Sequence, residues 1–268
     1  MDHGDRMTSG MRKAQILEIA RQDGRVSVEG LARHFDVTVH TIRRDLSDLA
    51  DAGHVERVHG GAVIADGLTN IDYVQRQQLN AAGKQMIAKA CAAAIPNKAS
   101  VFINIGTTTE AVARELMQHK DLMVVTNSLN TANILSANPN IDIVVAGGSL
   151  RRADGGLLGN LTTQVVDFFK FDYAVISCAG IDADGELLDF DLQEVHATQA
   201  IIARSRSTFV VADHSKILRT APGRIGSVED IDKLFTDAPL PEDVLQNWAG
   251  FDMKVQVAED PKLRRNAH

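Results

Sequence analysis

Arg43 and Arg44 stand in the segment VTVHTIRRDLSDLADAGHVER, residues 37–57, in which Val39, Ile42, Leu46 and Leu49 recur at spacings of three and four. That spacing buries one face of a short helix and turns His40, Thr41, Arg43, Arg44 and Ser47 outward. A guanidinium is a planar fork that pairs bidentately with guanine or with phosphate, while threonine and histidine reach base edges or backbone oxygens. The chemistry on offer is recognition of duplex DNA. The competing reading is an arginine pair that only solvates a surface helix; it explains the charges but not the elements that flank them.

A second set of residues follows a series of apolar runs. Gly106-Thr107-Thr108-Thr109-Glu110 puts a glycine and hydroxyls at a helix start, where free N–H groups and the helix dipole attract an anion such as phosphate. Thr126-Asn127-Ser128, Gly147-Gly148-Ser149-Leu150-Arg151-Arg152 and Gly180-Ile181-Asp182 occupy equivalent places, and Asp213-His214-Ser215-Lys216 closes a further run. Lys216 is placed to neutralise phosphate or to donate to a hydroxyl, whereas His214 reads as structural. Any one of these stretches is equally well a turn with a capped helix, and Arg151 or Arg152 reads equally well as half of a surface salt bridge. Several converging on one rim point to a ligand site.

The elements that must position these residues are legible too. Met11 to Gln22 carries helical spacing at Ile16, Leu17 and Ala20, and a second helix starts at Ser27 and runs through Leu31, Ala32 and Phe35. Thr38 caps the third helix and Gly53 ends it. The short Phe35–Thr38 connection makes a helix-turn-helix. His54 to Val63 then reads as a two-stranded wing turning at glycines, which brings Arg57 and His59 towards phosphate or the minor groove. Gly30 weakens the second helix by about 1 kcal/mol without touching the reading face. Residues 64–83 form a polar, partly helical linker. Beyond it helices are expected at Lys84–Ala94, Glu110–Gln118, Thr131–Ala137, Thr162–Phe169 and Val195–Arg204. They alternate with strands at Val101–Ile105, Leu122–Thr126, Ile141–Ala146, Tyr173–Cys178 and Phe209–Ala212. Apolar strands interleaved with helices predict a mainly parallel sheet covered on both faces, with its ligand outside the strands' carboxyl ends.

With 268 residues, 44% of them hydrophobic, the chain can bury one large core and one small one, so two domains are expected. Residues 1–62 hold nine lysines and arginines against ten acidic residues, and the net charge of the whole chain is -7. The DNA module therefore lacks an overall basic field, and avidity from a homo-oligomer, dimer or tetramer, is expected to supply the missing affinity. No apolar run is long enough to span a bilayer and no signal peptide precedes Met11, which points to a cytoplasmic protein without a membrane partner. Cys91 and Cys178 read as buried free thiols without metal-ligand spacing, so neither a metal nor a cofactor is expected. Residues 1–10 and the charged tail from Glu259 read as disordered.

RRDLSDLADAG followed by RVHGGA resembles the DeoR-type family of bacterial repressors, a likeness that runs from Met11 to about Val257. GTTTE, TNSLN, AGGSLRR, AGID and DHSK extend it through the second region, which is itself similar to phosphosugar isomerases of the ribose-5-phosphate isomerase type. The resemblance implies a winged helix-turn-helix at 11–63 and an isomerase-like effector-binding α/β domain at 84–257. It also implies repression of transcription, with operator DNA released when a phosphorylated polyol or sugar, glycerol-3-phosphate foremost, binds. By position Gly106, Thr107 and Thr108 would hold phosphate, Asp182 and Lys216 would face hydroxyls, and Glu194 is a further partner. Asn127, Gly147, Gly148 and Arg152 complete the expected rim, while Asp189 and Asp191 read as solvated loop carboxylates. The isomerases open their corresponding motif with an aspartate where this chain has Ala179, so one of two carboxylates needed to shuttle a proton is missing. No catalytic residue is therefore assigned; the alternative is an isomerase-like enzyme with an accessory winged module.

Overall fold

A computed structural model describes residues 9–23, 25–51, 54–58, 60–64 and 73–258. The chain divides into two compact units, before and after the Ile71–Asp72 bond.

The first unit contains helix α1 (Ser9–Asp23), strand β1 (Arg25–Ser27), helices α2 (Val28–His34) and α3 (Val39–Asp51), and strands β2 (Val55–Val58) and β3 (Gly61–Ile64). Its core is a single apolar cluster that includes Ile16, Ala20, Leu31, Ile42, Leu46, Leu49, Val55 and Ala62. These are the residues the helical spacing singles out. Ser27 caps α2 by accepting from Gly30 N at 3.0 Å, and a Cβ at position 30 would lie 2.6 Å from that hydroxyl. Gly30 thus costs helix propensity but leaves room for the cap. Asp36 adopts a left-handed φ of 49° in the turn between α2 and α3. An aspartate tolerates that conformation better than most side chains. Thr38 caps α3 as expected, its Oγ1 accepting from Thr41 N at 3.2 Å. The wing has three strands rather than two, since β1 pairs antiparallel with β3 on the side away from β2. β1 is only three residues long and was not visible as a periodic run. Gly53, His59, residues 65–72 of the expected linker, residues 1–8 and the tail from Glu259 lie outside the described residues.

The second unit opens with helices α4 (Tyr73–Gln78) and α5 (Ala81–Ala93), so the latter part of the expected linker is folded helix. There follow β4 (Ser100–Ile103), α6 (Thr107–Leu116), β5 (Leu122–Thr126), α7 (Leu129–Leu135), β6 (Ile141–Val145), β7 (Ser149–Arg151), β8 (Gly156–Leu158), α8 (Asn160–Asp167) and β9 (Phe171–Ile176). After these come β10 (Gly180–Ile181), β11 (Glu186–Asp189), α9 (Leu192–Ala203), β12 (Ser205–Val211), β13 (Gly223–Ser227), β14 (Lys233–Thr236), α10 (Glu242–Asn247) and β15 (Lys254–Val257). Seven strands form one sheet in the order β15-β14-β12-β9-β4-β5-β6, every neighbouring pair parallel. An all-parallel sheet needs cover on both faces, and two buried clusters supply it: one around Ile87, Val101, Ile103, Val112 and Phe235, the other around Phe102, Phe171, Ile176, Val210 and Leu234. The chain winds outward in one direction through β4, β5 and β6 and in the other through β9, β12, β14 and β15. The direction switches between β4 and β9, where such sheets open a crevice at their carboxyl ends.

Candidate functional site

In the first unit, Asp45 sits on the buried stripe of α3, 3% exposed, and accepts from Arg12 Nε at 2.5 Å and from Ser9 Oγ at 3.1 Å. This ion pair ties α1 to α3 and fixes the azimuth of α3, while Lys13 reaches Asp48 at 2.6 Å. The opposite face then presents His40, Arg43 and Arg44 exposed, with Thr41 and Ser47 half-buried beside them. Five residues expected to read DNA are therefore on one accessible face, and Arg57 lies in β2 of the wing.

The second site is built where β4 and β9 diverge. Asn104 and Ser177 lock the two strand ends, with Ser177 N donating to Asn104 Oδ1 at 3.1 Å and Ser177 Oγ to Ile105 O at 3.1 Å. Gly106 follows as the N-cap of α6; a Cβ there would stand 2.4 Å from Ser177 Oγ, so only glycine allows this close turn. Thr107, Thr108 and Thr109 open α6, and Thr109 Oγ1 closes the turn by donating to Asn104 O at 2.8 Å. Thr107 is reached from α5. Lys84, 7% exposed, donates from Nζ to Thr107 Oγ1 at 2.9 Å and to the carbonyl of Arg76 at 2.5 Å. Burial lowers the Lys84 pKa; nearby Arg76 adds to the effect, and Asp213 and Glu110 oppose it.

From the other half of the sheet, the short helix His214–Lys216 delivers Lys216 after β12. Burial pulls its pKa down to about 8; Arg219 and Lys84 add to the effect, and Asp213 opposes it. Arg219 is lowered by burial as well, against the pull of Asp213 and Asp189. Lys216, Arg219 and Lys84 thus lie within electrostatic reach of one another, an arrangement that favours an anionic guest.

The acidic counterpart is centred on Arg151. It donates to Asp154 at 2.7 Å, to Asp191 at 2.9 Å and to Glu194 at 2.5 Å, so the rim arginine that enters the network is Arg151 and not the exposed Arg152. Asp191 also caps α9, accepting from Gln193 N at 2.8 Å. Asp189 is pushed up by burial, even though it accepts from the backbone N–H groups of Phe190 and Asp191. Neither aspartate is the freely solvated loop carboxylate that the sequence suggested, because the β11–α9 corner folds both inward.

The remaining expected rim residues divide. Asn127 is buried behind β5, with its Oδ1 lacking a partner among the described residues. Gly148 packs so closely that a Cβ would meet Leu158 O and Thr162 Oγ1 at 2.6 Å, whereas Gly147 is exposed with room for a Cβ, its carbonyl accepting from Thr162 Oγ1 at 2.6 Å. Asp182 serves a turn with one of its carboxylate oxygens: Oδ1 accepts from Asp184 N at 3.1 Å and Glu186 N at 2.9 Å between β10 and β11. His214 pairs with Asp237 at 3.0 Å, in keeping with a structural role. Cys91 and Cys178 are free, buried thiols, the latter pushed up to about 12 by burial. No group of acids, histidines and cysteines among the described residues is arranged to hold a metal ion, and no described helix is long and apolar enough to cross a membrane. A separate cleft of about 280 Å³ lies at the strands' amino ends beside Pro96, Lys98, Asp172 and Arg206. Asp172 there already accepts from Ser100 N and Oγ, so it reads as sheet architecture.

Sequence reasoning missed Lys84, Arg76, Asp154, Arg219 and Asp45. Two of these carried a signal: Lys84 falls three, four and seven residues before the buried Ile87, Ala88 and Cys91, and Asp45 lies between Ile42 and Leu49 on one stripe. A charge at a core-facing helical position is costly unless paired, and so marks a partner elsewhere.

A helix with an exposed cationic face in one unit and cations gathered at a parallel sheet's switch point in the other are the two parts of a transcriptional regulator. Residues 12–67 match the DeoR-like helix-turn-helix domain and residues 79–238 the DeoR C terminal sensor domain, and the chain belongs to the DeoR family. It is 42% identical to the glycerol-3-phosphate regulon repressor of Escherichia coli strain K12 over 94% of this chain and all of that protein. To the glycerol-3-phosphate regulon repressor of Haemophilus influenzae it is 45% identical over 89% of this chain and 93% of the relative. Among solved structures, a D-ribose-5-phosphate isomerase in complex with phospho-erythronic acid aligns with 50% of this chain and 52% of its own at 18% identity and a TM-score of 0.38.

Proposed function

We propose that this protein represses transcription by binding operator DNA through α3 and the wing, and lets go when glycerol-3-phosphate, or a closely similar phosphorylated polyol, enters the crevice of the sensor unit. The observation that carries the effector half is the Lys84–Thr107 contact of 2.9 Å at the start of α6, with Lys216 drawn into the same electrostatic neighbourhood. Free N–H groups at a helix start together with two desolvated ammonium groups suit a dianion. Thr107, Thr108 and Gly106 hold its phosphate, and Lys216, Asn127 and Glu194 line the remainder. The repressors with which this chain shares 42–45% identity support the choice of glycerol-3-phosphate.

Control is linkage: an effector that prefers one arrangement of the sensor shifts the population of DNA-competent protein by its differential affinity and no more. The protein works as a homo-oligomer in the cytoplasm. Exposed Leu161 and Phe168 at the two ends of α8, with Leu150 and Val145, supply apolar surface for self-association. The sensor performs no turnover, since Ala179 stands where a second acid would be required to shuttle a proton.

The deciding experiment is a melting curve with and without millimolar glycerol-3-phosphate, repeated as a competition against operator DNA. A raised melting temperature and displaced operator are expected. An unchanged curve and unaffected operator binding sink the reading.

A further inference from the structure

We propose that α4 is part of the effector site: Arg76 binds the effector's anionic group together with Lys84, so that occupancy clamps the segment through which the chain enters the sensor unit. This rests on the effector reading above and extends it to a residue on the linker side of the site.

The second unit begins at Asp72 and α4 begins at Tyr73, so the covalent path from the DNA-reading unit to the sheet passes through this helix. Six residues are too few for a helix to hold itself in water, and α4 must be held by tertiary contacts. The side-chain ties it makes reach the rim of the crevice. Tyr73 Oη donates to Glu110 Oε2 at 2.5 Å, Arg76 Nη2 donates to Asp154 Oδ2 at 3.3 Å, and the Arg76 carbonyl accepts from Lys84 Nζ at 2.5 Å.

Those ties are incomplete in one specific way. Arg76 Nε is shielded from solvent and has no hydrogen-bond partner among the described residues. Lys84 spends two of its three donors on Arg76 O and Thr107 Oγ1. A remaining ammonium donor of Lys84 therefore sits beside the first residue of α6, whose early N–H groups have no helical acceptors, and Arg76, whose carbonyl the same ammonium touches, carries an unmet guanidinium donor. One phosphate oxygen set satisfies all three. The neighbouring positive charges of Arg76 and Lys84 oppose each other, which helps to pull Lys84 down, and an anion between them cancels that repulsion. The effector therefore draws α4 onto the sheet; it does not expel it. Asp154, shared by Arg76 and Arg151, couples the same clamp to Glu194 and Asp191 on the far side of the crevice.

The test is amide hydrogen exchange on the full-length protein, alone, with glycerol-3-phosphate and with inorganic phosphate, alongside calorimetric binding of both anions. Either anion is expected to slow exchange across residues 73–78 several-fold. Arg76→Gln is expected to weaken anion binding about tenfold, the worth of one charge-assisted hydrogen bond. Tyr73→Phe touches no anion, so it should bind within about twofold of wild type yet show a smaller effector-induced change in operator affinity. Wild-type binding with unchanged exchange in α4 overturns the clamp and leaves the effector site standing, as does an Arg76→Gln variant of wild-type affinity. Absence of binding by either anion overturns both readings together.

Discussion

Arg151 Nη2 lies 2.5 Å from Glu194 Oε1, and still the Glu194 carboxyl is pushed up to about 7. Burial is the largest cause, Asp189 beside it the next, and the guanidinium offsets only part of the two. The crevice therefore holds more acid than its cations neutralise near Arg151. A polyol effector, rich in hydroxyl donors, suits such acceptors.

A pH prediction follows from the sign of that shift. A glutamate whose folded pKa exceeds its unfolded value adds stability that is complete below about 4.5 and is lost as the pH climbs to about 7. Glu194→Gln keeps an acceptor for Arg151 and removes the titration. Melting temperatures measured from pH 5 to pH 8 should diverge in favour of the variant at the alkaline end, by about 1–3 kcal/mol or a few degrees. Parallel curves for the two proteins count against the assignment.

Lys216 makes the opposite case. Its folded pKa of about 8 lies below the ordinary 10.5, so its contribution is lost as pH falls from 10.5 to 8, and at neutral pH the cost is fully present. Lys216→Met should therefore stabilise the ligand-free protein at pH 7 by about 1–3 kcal/mol. The same substitution should abolish the thermal shift given by glycerol-3-phosphate. A variant that is less stable and still shifts with ligand refutes the placement of this ammonium in the site.

What could be read from the sequence, and what could not, divides along physical lines. The strand Leu122–Thr126 was legible to the residue, because four apolar residues and a β-branched threonine between turn signals leave little else. The stretch GTTTE announced its helix start, although the helix begins at Thr107 and not at Glu110. Short antiparallel pieces such as β7, β8, β10 and β11 carry two to four residues each, too few for any period to show. The choice between Arg151 and Arg152 was likewise invisible, since Arg151 ends the three-residue β7 while Arg152 already lies in the turn, and only the partner Asp154 shows which arginine faces inward. Asp182 shows the same ambiguity: an aspartate before Ala-Asp-Gly is as good a turn residue as a ligand, and its Oδ1 serves the turn.

In the first unit, Asp45 should matter more to stability than any residue on the reading face. It is buried and its charge is met by Arg12 at 2.5 Å, so truncation leaves an uncompensated cation in the helix interface. Asp45→Ala is expected to destabilise this unit by about 3 kcal/mol. Operator binding should fall with it while calorimetric binding of glycerol-3-phosphate stays as in wild type. Loss of both together contradicts the separation of roles between the units.

Arg43 and Arg44 provide the complementary test, because both are exposed and neither holds the fold. The double substitution to alanine should leave the melting curve within about 0.5 kcal/mol of wild type. Operator affinity measured over a salt series should drop sharply, and the slope against log salt should shrink by about 2 if both side chains neutralise phosphate. If one of them reads guanine instead, the slope shrinks by about 1 and discrimination against a mutated operator weakens by roughly 1–3 kcal/mol at that base pair. Because the unit as a whole carries no basic excess, these two charges are a large share of what the duplex can meet. Unaltered affinity and slope in the double variant exclude α3 as the reading helix.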